Sequence, residues 1–263
     1  MSGPVSATPP PWDPPPAGFG ACPTCRYRRS GSAALCWSCA EAGLGRSVLD
    51  GRPRCSVCDQ PLRVPGTCAN YWCGREDRGF DVAWAIAGHT GVLRDVIARY
   101  KYRGGTAWSE ILGRIVAGYL LAHSPCFEDV ELIVACPGRP ERDHVSAIVG
   151  VAASAVGDLW AFDDGRRPCL VKGRQTVPLM AAGAPASRRL WAACDLRPAL
   201  SVPHPERVAG RRLLVVDDVF TDGSTLREVA LVLRAAGATA VSGLVLARQT
   251  WWGPRPVRPA AAA

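Results

Sequence analysis

The chain has 263 residues, with 31 Lys and Arg against 23 Asp and Glu, for a formal charge of +8 at pH 7. That length holds one large domain or a medium domain with a small attachment, and the charge points to an anionic partner, nucleic acid or a phosphorylated substrate. Only Lys101 and Lys172 are lysines, so the charge is nearly all Arg, which a high-GC coding sequence would also produce. The longest apolar stretch, Ala147 to Gly157, is broken by Ser and Gly and is too short to cross a bilayer. No basic-then-apolar leader follows Met1, so the expected compartment is the cytoplasm, where thiols stay reduced.

Residues 1–20 are rich in Pro and read as a disordered tail. Residues 21–80 form a cysteine-rich region with many turn formers and few apolar runs, so the region needs something other than a core to hold it together. Its cysteines fall as Cys22-x2-Cys25, Cys36-x2-Cys39, Cys55-x2-Cys58 and Cys68-x4-Cys73. A Cys-x2-Cys turn points two thiolates at one tetrahedral ion, and two such turns close a structural site. Zinc is the expected metal, with an iron–sulfur cluster as the weaker rival. Sequential pairing would give one ion to Cys22, Cys25, Cys36 and Cys39 and a second to Cys55, Cys58, Cys68 and Cys73; a cross-braced pairing stays open. Cys126, Cys136, Cys169 and Cys194 lack such spacing and are expected to be buried fillers.

Residues 81–250 change to the pattern of a packed domain, and 251–263 read as a second disordered tail. Val82 to Gly88 reads as a strand, Gly91 to Tyr102 and Ile111 to His123 as helices, Glu131 to Cys136 as a buried strand, and Ala147 to Gly157 as a helix. Asp163 to His204 shows no long periodic run. Arg212 to Asp218, Ser224 to Ala238 and Ala240 to Arg248 then read as strand, helix and strand. That spacing is a βαβ unit with parallel strands, and the expected fold is a doubly wound α/β sheet with helices on both faces.

Asp217 and Asp218 end the apolar strand, where α/β sheets bind ligands. Thr221, Asp222, Gly223, Ser224 and Thr225 lead into a helix whose first N–H groups and dipole attract an anion. Adjacent carboxylates suit sugar hydroxyls or a divalent ion, so the parts together suit a phosphorylated ribose. A strand followed by a capped helix would show much of the same pattern. Of the four histidines, His144 lies near the loop after Cys136 and is expected to be a surface residue.

These residues resemble type I phosphoribosyltransferases, whose signature is an apolar strand, two acidic residues and a Thr-Thr-Gly-Ser/Ala-Thr loop. With the paired cysteines, "CSVCDQPL" (Cys55 to Leu62), "YKYRG" (Tyr100 to Gly104) and "GLVLAR" (Gly243 to Arg248), the chain resembles the ComF family over Cys22 to Arg248. The resemblance implies a zinc ribbon before a phosphoribosyltransferase-like domain. It implies Asp217 and Asp218 on the ribose of phosphoribosyl pyrophosphate (PRPP), Thr221 to Thr225 around the 5′-phosphate, and Mg²⁺ on the pyrophosphate. Arg139 and Arg142 would contact the pyrophosphate. It further implies a role in single-stranded DNA uptake during competence, with a helicase-type partner, or else transfer of the phosphoribosyl group to a nitrogen acceptor. Two departures stand out. Asp222 replaces the second Thr of the loop, and "PGRPERDHVSA" (Pro137 to Ala147) lacks the Arg-Gly-Phe-Asn segment of the family. Both predict ligand binding without efficient turnover.

Overall fold

The computed structural model describes residues 53–103, 108–138, 143–176, 192 and 194–250. Both terminal tails, the first four cysteines of the ribbon, Arg139 and Arg142 lie outside the described residues. Six strands and four longer helices organise the described part. In chain order they are β1 (Ala83–Gly88), α1 (Gly91–Arg103), α2 (Trp108–Ala122), β2 (Leu132–Ala135), α3 (His144–Val156), β3 (Val171–Lys172), β4 (Leu200–Ser201), β5 (Arg212–Phe220), α4 (Ser224–Ala235) and β6 (Ala240–Arg248).

The main sheet has the order β1-β6-β5-β2 with every pair parallel, so the expected α/β class is the observed one. β3 and β4 form a separate antiparallel pair of two residues each. They fall in the stretch without periodicity, because two residues are too few to show any.

Both faces of the sheet are covered, which is why its strands read as unbroken apolar runs. Leu214 and Val216 of β5 face one side with Ile86, Ile133, Leu244 and Leu246, under Leu93, Ile97, Leu112, Ile115 and Ile148 of α1, α2 and α3. Leu213 and Val215 face the other, with Val134, Val241 and Val245, under Leu226, Val229 and Leu233 of α4. On the first face α2 and α3 approach closely at Gly113, where a Cβ would stand 2.5 Å from Val151 Cβ and 2.6 Å from the Ile148 carbonyl.

The cysteine-bearing segment lies on the α4 side and closes the outer edge of β1. The Ala83 N–H donates to the Val57 carbonyl at 2.8 Å and the Ala85 N–H to Asp59 Oδ2 at 2.9 Å. Two outward N–H groups of an edge strand are thereby satisfied, and the edge is unavailable for pairing with another chain. Arg234 of α4 clamps Asp81 at 2.7 Å and donates to the Gly79 carbonyl at 2.6 Å, fastening the end of the same segment.

Candidate functional site

A cavity of about 320 Å³ opens at the C-terminal ends of the parallel strands. It is lined by His89 after β1, Cys136 to Gly138 after β2, Asp217 and Asp218 of β5, and Thr221 just beyond it. This is where a parallel sheet presents its loops, so the position follows from topology. The acid pair lies inside β5 rather than at its end: Asp217 registers with Val245 of β6, and the strand runs on to Phe220.

Asp218 is buried, and a lysine and a histidine converge on one of its oxygens. Lys101 Nζ and His144 Nε2 both lie 2.6 Å from its Oδ2. Burial opposes the ionised carboxylate, but the Lys101 charge and the His144 hydrogen bond outweigh it and hold Asp218 below the usual range. Asp217 has the reverse fate. Burial, then the charge of Asp218, push it up to about 7. Its Oδ1 accepts the Asp218 N–H at 2.8 Å.

His144 is therefore part of the site, which corrects the surface assignment. Asp143 caps α3, accepting the Ser146 N–H at 3.2 Å, and the helix so started sets His144 at the strand ends. The Tyr100 hydroxyl fixes it from below by donating to the His144 carbonyl at 2.8 Å. Lys101 is the second site residue that sequence reasoning misses, although it lies within "YKYRG". The cavity also holds Arg94 and Lys172, so cationic groups outnumber the two carboxylates.

The loop after β5 is shaped for close approach. Gly223 has φ +91°, and a Cβ there would meet Phe220 Cζ at 2.5 Å, so only glycine fits. Asp222 turns inward: its Oδ1 accepts the Ser224 N–H at 2.9 Å. The carboxylate thereby already occupies an N–H at the start of α4 that an anion would use. Thr221 and Thr225 line the main cavity with the acid pair, and a smaller hollow of about 50 Å³ lies between the loop and the strands beneath it, against Cys136, Val215 and Val245.

Behind the loop stand the four described ribbon cysteines. The Sγ atoms of Cys55, Cys58, Cys68 and Cys73 lie within 4.8 Å of one another, with Cys58 and Cys68 3.7 Å apart. A tetrahedral Zn²⁺ with Zn–S near 2.3 Å would set sulfurs about 3.8 Å apart. The donor set and spacing fit a metal such as zinc, and these four form one group of their own, as sequential pairing requires. The local turn supports it. Asp59 takes φ +58°, and the Val57 and Asn70 N–H groups each point at a cysteine sulfur at 3.4 Å. Of the cysteines outside the ribbon, Cys136 and Cys169 are buried, whereas Cys126 and Cys194 are exposed, against expectation. Cys126 sits in the short turn that Pro125 imposes after α2.

Fold and site together define an α/β protein with an acid pair, a glycine loop and a cationic cavity at its sheet edge. No family model matches the chain, and no curated protein matches it. Among solved structures it is similar to one titled as the allosteric regulatory enzyme of purine biosynthesis, at 21% identity and a TM-score of 0.32, over 52% of this chain and 25% of that one. The chain thus spans about a quarter of that enzyme's length.

Proposed function

We propose that the cavity takes a phosphoribosyl ligand of the PRPP type, in a phosphoribosyltransferase-like domain over 81–250 that follows a metal-binding ribbon over 21–80. The observation that carries the reading is the convergence on one cavity of Asp217 and Asp218, the Thr221 and Thr225 hydroxyls, and a helix N-terminus entered through a left-handed glycine. The loop would hold the 5′-phosphate, the carboxylates the ribose hydroxyls, and Lys101, Arg94 and Lys172 would balance the remaining negative charge.

The arrangement favours holding over turnover. Lys101 and His144 cover the oxygen of Asp218 that a ribose hydroxyl would use, and Asp222 covers the Ser224 N–H, so a ligand must displace three internal contacts. The acid pair offers Mg²⁺ no open cradle in this form; the ion belongs to the reading as one carried in on pyrophosphate. Arg139 and Arg142 remain candidates for pyrophosphate contacts.

Equilibrium dialysis of PRPP with Mg²⁺ against the metal-loaded full chain tests the reading. Saturable binding should weaken at least about tenfold in the Asp217→Asn, Asp218→Asn double variant, the loss expected when hydrogen bonds to charged acceptors are removed. Binding that is absent, or indifferent to the double change, would sink it. The +8 charge supports a second reading of the ComF type, a cytoplasmic protein that handles single-stranded DNA beside a helicase partner. That reading requires DNA affinity falling steeply with salt and surviving the same double change.

A further inference from the structure

The cysteine site and the ligand loop meet in one residue, Arg248, the last of β6. Its side chain is buried, and its guanidinium is fully used. Nε donates to the Cys58 carbonyl at 3.0 Å, and Nη2 to Gln60 Oε1 at 2.7 Å and towards Cys58 Sγ at 3.5 Å. Nη1 donates to the Phe220 carbonyl at 3.0 Å and to the Thr221 carbonyl. The group also stacks over the Phe220 ring, 4.5 Å from its centroid. That ring is the surface against which Gly223 packs.

A buried guanidinium stays charged and must be compensated. Among the described residues no carboxylate pairs with Arg248; its acceptors are carbonyls, the Gln60 amide and the Cys58 sulfur. Four thiolates around one divalent ion carry a net negative charge, so a loaded cysteine site would add to the Asp59 carboxylate, whose charge Arg248 also feels, and would fix the Cys58 carbonyl in place. A second bridge is independent of the first. Trp72, next to Cys73, donates its indole N–H to Ser224 Oγ at 3.4 Å and lies 4.4 Å below the Arg227 guanidinium.

We infer that Arg248 is a positioning residue for the ligand loop and that it couples metal occupancy of the cysteine site to the conformation of Phe220 to Thr225. The four cysteines do not line the cavity, yet an ion held by them would decide whether the loop carbonyls are held and whether the N–H groups at the start of α4 converge. The inference rests on the proposed role of this loop as the ligand cradle, but its test does not need a ligand. By reciprocity, whatever factor the metal adds to ligand affinity the ligand adds to metal affinity.

The test is amide hydrogen exchange on the full chain, zinc-loaded and after chelation, for the natural protein and for Arg248→Lys, which keeps the charge but not the fork. Chelation should speed exchange of the peptide spanning Val219 to Leu226 by about tenfold or more, within the range of couplings between linked sites. The sheet at Leu213 to Val216 should stay protected. In zinc-loaded Arg248→Lys the loop should exchange fast while the Cys55 to Cys73 segment stays slow, a separation that a purely structural arginine would not give. An unchanged loop after chelation, or acceleration spread evenly through β5 and α4, would overturn the coupling. If Arg248→Lys does not fold, chelation of the natural protein decides alone. PRPP that fails to bind while the coupling holds would count against the ligand reading and leave the coupling standing.

Discussion

The cysteine ribbon and the four-stranded sheet touch along β1 and α4, but they are held by different forces. The sheet buries Leu, Ile and Val on both faces, so its stability is spread over many contacts and is hydrophobic in origin. The described ribbon contributes Cys55, Cys58, Leu62, Trp72 and Phe80 to a core, and otherwise holds its shape through N–H groups on sulfur, the Asp59 turn and four converging thiols. One region can lose a side chain and persist. The described part of the other turns on the Cys55–Cys73 cluster, and it is the one that abuts the loop after β5.

The largest effect that would sharpen this contrast comes from Cys58→Ser. Structural zinc in small modules carries roughly 10 kcal/mol or more of binding energy, so loss of one thiolate should open the ribbon to proteolysis between Arg54 and Arg78. The sheet should keep its cooperative melt. A single transition in which sheet and ribbon unfold together would show that the two are not held separately.

Next comes Gly113→Ala, aimed at the sheet side. A methyl group would press on Val151 and the Ile148 carbonyl, backbone that cannot swing away. Overpacking of this kind costs about 1–3 kcal/mol. Denaturant unfolding should show that loss without a change in metal content, and a neutral result would mean that the α2–α3 seam is looser than it looks.

The smallest expected effect concerns the acid pair and has a defined pH window. Asp217 is raised from 3.8 to about 7 in the folded protein, so stability is present below about pH 4 and is lost as pH rises through about 7. Asp218 is lowered and acts in the opposite sense, losing stability as pH falls below the unfolded value. Asp217→Asn should therefore raise the melting temperature at pH 8 by roughly 2–4 °C, the equivalent of about 1 kcal/mol, with no gain at pH 4. An equal gain at both pH values would mean that Asp217 is not the group that titrates.

Much of the sheet was legible because β5 and β6 are long apolar runs with a periodic helix between them. The acid pair and loop were legible for the same reason, since they lie on one continuous stretch of chain. His144 and Lys101 were not, because they reach Asp218 from helices 74 and 117 positions away in sequence and share no local pattern with it. Arg248 was read only as the end of a strand. The signal available was its place at the close of "GLVLAR", where every preceding residue from Gly243 is buried; a cation there must find acceptors inside. Cys126 and Cys194 were misjudged because burial of a lone cysteine depends on packing that spacing does not encode.

The central claim is that this cavity is a sugar-phosphate site whose loop carries its own anion in Asp222. Isothermal titration of PRPP with Mg²⁺ into the zinc-loaded full chain, natural and Asp222→Thr, tests it most directly. The account predicts saturable binding that tightens severalfold in Asp222→Thr, because the Ser224 N–H is freed and a charge leaves the phosphate's neighbourhood; a factor of five is about 1 kcal/mol. No binding by either protein would contradict the account.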